Sequence, residues 1–83
     1  MPKGEIVERV VGYLVKEIVD VPDEVRVELV EQGPEDVLIE VRTAQGDMGR
    51  VIGRMGRVAR AIRTVAQAAG DEEGLATGVE FLD

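Results

Sequence analysis

The sequence predicts a single α+β domain spanning residues 1–83, of element order α-β-β-α-α-β, with a three-stranded sheet and its helices on one face. Three observations carry that expectation. Apolar residues recur at helical spacing near the amino terminus and again after residue 57. Two stretches between them, and one at the end, alternate apolar and polar residues with the period of a strand. Glycine, proline and aspartate cluster at the joins, where turns need them. One sheet covered on one face buries every apolar side that this pattern creates.

Ile6, Val7, Val10, Val11, Leu14 and Ile18 fall on one side of a helix from about Gly4 to Val19, with Glu5, Glu8, Arg9, Lys16 and Glu17 mostly opposite. Pro22, flanked by Asp20 and Asp23, stops it. Val25, Val27 and Leu29 then alternate with Arg26 and Glu28, and Val37, Ile39 and Val41 with Leu38, Glu40 and Arg42. The two strands form an antiparallel hairpin across Gln32-Gly33-Pro34-Glu35-Asp36. Asp47 is placed to cap a very short helix ending at Gly53. A longer helix follows from about Arg57 to Ala69, with Val58, Ala61, Ile62, Val65 and Ala69 on its apolar face and Gly70 as its stop. Asp71 to Gly74 reads as an acidic loop, and Thr77 to Leu82 as the last strand, with Val79 and Phe81 inward.

Composition narrows the function. The chain has no cysteine and no histidine, which removes disulfides, the usual zinc ligands and any Ser-His or Cys-His nucleophile pair. Its seventeen carboxylates form no paired acid-base or metal constellation in the sequence, and no cofactor is expected. No apolar run approaches a membrane span, so a cytoplasmic protein without membrane insertion is the plain expectation. The net charge of −7 argues against a nucleic-acid partner until its distribution is considered. Met48 to Ala69 holds Arg50, Arg54, Arg57, Arg60 and Arg63 and no acid, so this segment carries +5 and the remainder −12. One positive surface is thus localised on an acidic body.

Within that segment lies Val51-Ile52-Gly53-Arg54-Met55-Gly56-Arg57. Ten glycines in 83 residues make about one G-x-x-G match expected by chance, and the chain holds a second, Gly46-Asp47-Met48-Gly49. That second match carries an acid that would repel phosphate. Only Gly53–Gly56 joins two helices, follows Val51-Ile52 and sits in a basic surround. VIG-x-x-G-x-x-x-x-x-I between two helices resembles the signature of KH domains. The resemblance implies that Gly53 and Gly56 let the backbone turn sharply and approach a run of about four nucleotides of single-stranded RNA. Arg54 and Arg57 are the leading phosphate contacts, with Arg50 next; Met55 completes the loop. Arg60 and Arg63 lie roughly opposite the apolar face, so Arg60 is a weaker candidate and Arg63 is expected to be solvated. Val51 and Ile52 either line a groove for bases, as the resemblance implies, or pack in the core. Tyr13 and Phe81 are too few for a stacking platform and are assigned to core or interface packing.

A helix and two strands before the signature, and one strand after it, match a type II KH domain. Ile18-Val19-Asp20-Val21-Pro22-Asp23-Glu24-Val25 together with Asp47-Met48-Gly49-Arg50-Val51-Ile52-Gly53 is similar to the small stand-alone bacterial KhpA family, and the likeness covers essentially the whole chain. It implies a cytoplasmic RNA-binding protein or RNA chaperone without catalytic activity. It further implies self-association as a homodimer, pairing with a second KH protein (KhpB, EloR or Jag), and a part in post-transcriptional regulation and cell elongation. Many relatives carry a basic then a polar residue between the two glycines, and Met55 departs from that. A DNA-binding helix-turn-helix leaves the strands unexplained, and the glycine spacing fits no nucleotide-binding loop. The remaining alternative is a KH-scaffold protein-interaction module with weak or partner-dependent RNA binding.

Overall fold

The computed structural model describes residues 3–82. Helix α1 spans Glu5–Ile18, and a single 3-10 turn at Pro22–Glu24 reverses the chain. Strands β1 (Arg26–Gly33) and β2 (Asp36–Arg42) form the hairpin, turning at Pro34 and Glu35 with an irregularity between Glu31 and Gly33. Helix α2 is Met48–Ile52, helix α3 is Arg57–Glu72, and strand β3 is Ala76–Leu82. The α-β-β-α-α-β order expected from the sequence is therefore the order of the fold.

The sheet order is β1-β2-β3, with β1 antiparallel and β3 parallel to the central strand. A parallel pair needs a crossover rather than a hairpin, and α2 and α3 supply it. Register places Val27 beside Val41 beside Phe81, and Leu29 beside Ile39 beside Val79. These residues share the face toward the helices. Val37, Ile39 and Val41 of β2 are buried, and the core sets Ile39 and Val41 against Val7, Val11 and Val15 of α1, Val51 of α2, and Ile62 and Ala66 of α3.

Two helical faces are rotated from their expected positions. In α1 the fully buried stripe steps by four through Val7, Val11 and Val15, while Ile6 is exposed and Val10, Leu14 and Ile18 are half-buried. Tyr13, assigned to core or interface packing, is 66% exposed. In α3 the buried line is Ala59, Ile62, Ala66 and Gly70, leaving Ala61 and Val65 outside. Small residues carry no strong hydropathy signal, so the larger Val65 misleads about which side faces the sheet.

Gly70 is not the stop of α3. The helix runs on to Glu72, and a Cβ on Gly70 would lie 2.0 Å from Thr77 Oγ1 and 3.0 Å from the Leu75 carbonyl oxygen. The glycine is there to let β3 pass. The chain instead leaves the helix at Gly74, with φ +71, where the Leu75 N–H donates to the Gly70 carbonyl and the Gly74 N–H to the Asp71 carbonyl. This 6→1 and 5→2 pair is a Schellman closure, and it takes Asp71 and Glu72 out of the expected loop.

Candidate nucleic-acid interface

Helix α2 ends because Gly53 turns out of it, at φ 75 and ψ 171, while its N–H still donates to the Gly49 carbonyl. A 3-10 turn over Arg54–Gly56 follows, closed by the Gly56 N–H on the Gly53 carbonyl, and α3 begins at Arg57. Three of four loop residues have positive φ: Gly53, Met55 (φ 57) and Gly56 (φ 72). The two glycines are required for different reasons. A Cβ on Gly53 would sit 2.4 Å from Val58 Cγ2 and 2.9 Å from the Val58 backbone nitrogen, whereas none of the neighbouring heavy atoms lies within 4 Å of one on Gly56. Gly53 faces inward onto α3, and Gly56 faces open space from which a ligand can approach.

Met55 is the one non-glycine residue with positive φ among those described, and it is 79% exposed. The Arg60 guanidinium donates to the Met55 carbonyl oxygen at 3.0 Å, tying the tip of the loop to the next turn of α3. No side chain caps α3, so the amides of its first turn, at the positive end of the helix dipole, lie beside the loop. An anion held there meets backbone N–H groups as well as arginines.

The five arginines have distinct surroundings. Arg54 and Arg57 are exposed and make no ion pair or side-chain hydrogen bond among the described residues. Arg50 is held by Asp20 at 3.0 Å and approached by Asp47 at 3.7 Å. Arg63, expected to be solvated, donates to the Val79 carbonyl and stacks 5.3 Å from the centre of the Phe81 ring, against the outer edge of β3. Val51 is fully buried in the core, and Ile52 beside it is half-buried.

Asp47 does not cap α2 with its side chain. The residue is 3% exposed, and its carboxylate accepts from the backbone N–H groups of Asp20 at 3.2 Å and Val21 at 3.0 Å. A buried carboxylate is tolerated because those charge-assisted bonds replace water. The result is a clasp: Asp47, Arg50 and Asp20 bind the segment after α1 to the helix that carries the loop. Sequence pattern offered no signal for it, since its partners lie 26 and 27 residues away. A hollow of about 450 Å³ lined by Thr43, Ala44, Gln45 and Met48 opens beside the start of α2 and also escaped the sequence.

Residues 8–81 match the family model described as KhpA/KhpB, KH domain. The chain belongs to the KhpA/KhpB KH-domain family. Curated relatives extend the match over most of both chains. The RNA-binding protein KhpA of Leifsonia xyli is 49% identical over 71 residues, covering 86% of this chain and 90% of its own. The namesake from Clostridium acetobutylicum is 45% identical over 69 residues (83% and 91%), and that from Borreliella burgdorferi 40% identical over 73 residues (88% of each). Among solved structures, Era of Aquifex aeolicus bound to GDP and aluminium fluoride superposes with a TM-score of 0.68 at 18% identity. It covers 98% of this chain but the chain spans only 31% of Era, so the likeness is one of fold. KhpA/KhpB domains are not enzymes, and no helix among the described residues is long and apolar enough to cross a membrane.

Proposed function

We propose that this KhpA/KhpB-family domain holds single-stranded RNA through the α2–Gly53–Gly56–α3 element, as a cytoplasmic RNA-binding protein or RNA chaperone. The observation that carries the reading is the open backbone at Gly56 flanked by two arginines, Arg54 and Arg57, without an acidic partner among the described residues. Phosphates are gripped by these two arginines and by backbone amides of the loop and of the first turn of α3 other than those of Gly53, Gly56 and Arg57, which already donate to carbonyls nearby in the chain. Arg50 is a reserve contact that must first leave Asp20, and Arg60 supports the loop carbonyl at Met55. Half-buried Ile52 borders the bases, and Val51 sets its position from the core. The names of the KhpA relatives, which describe RNA binding, support the substrate class.

The same reading has the domain act as a homodimer and with a second KH protein of the KhpB, EloR or Jag kind, in post-transcriptional regulation that bears on cell elongation. A second reading, a KH scaffold that binds proteins and takes RNA weakly or only with its partner, is favoured by the net charge of −7 and the exposed apolar Met55. Titration of a fluorescent single-stranded RNA with wild type and an Arg54→Asp, Met55→Asp double variant separates them. Loss of binding in a folded double variant supports the clamp. Unchanged binding removes it, and wild-type binding that appears only on addition of a partner favours the second reading.

A further inference from the structure

The two edges of the sheet are treated differently. At the β3 edge Arg63 donates to the Val79 carbonyl and lies over Phe81, so a side chain of α3 already occupies the strand's outer side. The β1 edge has no strand beyond it among the described residues, and side chains tie only its ends: Arg26 donates to the Asp23 and Val25 carbonyls, and Lys3 to those of Gly33 and Pro34. Beside it runs an open groove of about 460 Å³ between α1 and β1, lined by Glu8, Gly12, Tyr13, Lys16, Val25 and Val27, with Arg9 also bordering it. Exposed edge strands of this kind are usually blunted by charge or cover. Here the charges alternate in sign instead.

We infer that a second copy of this chain pairs with β1, antiparallel and centred on Val27, so that the two three-stranded sheets join into one of six strands. This names a surface for the self-association proposed above and rests on that reading. The warrant is self-complementary charge. In an antiparallel pair centred on Val27, Arg26 of each copy stands opposite Glu28 of the other, on the solvent face of the sheet. Directly opposed side chains there have Cβ atoms about 4.5–5.5 Å apart, where unlike charges attract and like charges repel. Arg26-Val27-Glu28 is its own antiparallel complement.

The helix beside the strand obeys the same centre. A Cβ on Gly12 would lie 3.7 Å from Val27 Cγ2, so Gly12 marks the level of the axis on α1. Glu8 and Lys16 lie four residues to either side of it and both line the groove. Rotation about an axis through the Val27 pair therefore brings Glu8 of one copy toward Lys16 of the other. Tyr13, two-thirds exposed in the monomer, meets its own mate near the axis, where Gly12 leaves room for a ring. Val25 is already extended, at φ −72 and ψ 130, but its N–H donates to the Pro22 carbonyl and its own carbonyl accepts from the Arg26 guanidinium, so pairing beyond Arg26 requires Arg26 to leave Val25 and turn to Glu28 of the other copy.

Charge exchange tests this by sedimentation equilibrium on wild type, the two single variants, the double variant and a mixture of the singles, each checked for folding by circular dichroism. Arg26→Glu alone sets the introduced carboxylate against Glu28 of the other copy twice per dimer. Glu28→Arg alone sets the introduced guanidinium against Arg26 twice, and each variant is expected to weaken dimerisation at least tenfold. The Arg26→Glu, Glu28→Arg double variant restores complementarity and should dimerise within about threefold of wild type. An equimolar mixture of the two single variants should form heterodimers at concentrations where neither variant dimerises alone. Wild type that stays monomeric overturns the self-association reading itself. A wild-type dimer with both single variants equally dimeric, or a double variant and mixture that fail to recover, overturns this surface while leaving self-association standing.

Discussion

Replacing Gly53 by alanine should cost far more stability than replacing Gly56, although both belong to one loop and both have positive φ. At Gly53 the backbone lies at φ 75 and ψ 171, a region open essentially to glycine alone, and forcing alanine into it costs about 1–3 kcal/mol. The new methyl would also sit 2.4 Å from Val58 Cγ2, 2.8 Å from Val58 Cβ and 2.9 Å from the Val58 nitrogen. Backbone cannot rotate away as a side-chain tip can, so overpacking adds about 1–3 kcal/mol. At Gly56, φ 72 and ψ 16 fall in the left-handed helical region with no heavy atom in reach, and the cost is about 1–2 kcal/mol. A domain of this length has a total stability of about 4–12 kcal/mol. Gly53→Ala is therefore expected to lower the urea midpoint severely or unfold the domain, and Gly56→Ala to leave a cooperative transition shifted modestly. Urea unfolding followed by circular dichroism measures both. Equal losses, or a larger loss at Gly56, would refute the assignment of Gly53 to close packing on α3.

Gly70→Ala raises intrinsic helix propensity by about 1 kcal/mol, yet it should destabilise by about 1–3 kcal/mol in thermal unfolding because its methyl meets Thr77 and the Leu75 carbonyl. Asp47→Ala leaves the Asp20 and Val21 amides without their acceptor and is expected to cost about 2–4 kcal/mol in chemical denaturation, with Asp47→Asn milder. In RNA titrations at several salt concentrations, Arg54→Ala and Arg57→Ala should each flatten the slope of log K against log salt by about 0.7, the single-strand value per phosphate. Arg50→Ala, whose guanidinium is already paired with Asp20, should change that slope less than either.

Period and punctuation made the element order legible, because Val25, Val27 and Leu29 and then Val37, Ile39 and Val41 leave no other reading than strands. The loop was legible for the same reason that it can approach a ligand: glycine at both ends of Arg54-Met55, between helices, with no acid nearby. What the sequence hid depended on contacts that exist only once the elements are packed together. Gly70 looks like a helix stop until β3 is seen to cross it, and Gly74 does the stopping. Asp47 looks like a helix cap until its carboxylate is found on the amides of Asp20 and Val21. Position on the helical wheel and nearness to the loop already rank Arg54 and Arg57 first, but only tertiary contacts place Arg63 on Phe81 and Arg50 on Asp20.

Amide chemical shifts followed by NMR during addition of a short single-stranded RNA test the clamp most directly, because they report each backbone N–H separately. The largest changes are expected at Gly53, Arg54, Met55, Gly56 and Arg57, smaller ones at Ile52 and Arg60, and little change at Val27 and Glu28 on the far edge of the sheet. RNA that binds while the Gly53–Gly56 amides stay unmoved would contradict the assignment of this loop as the site.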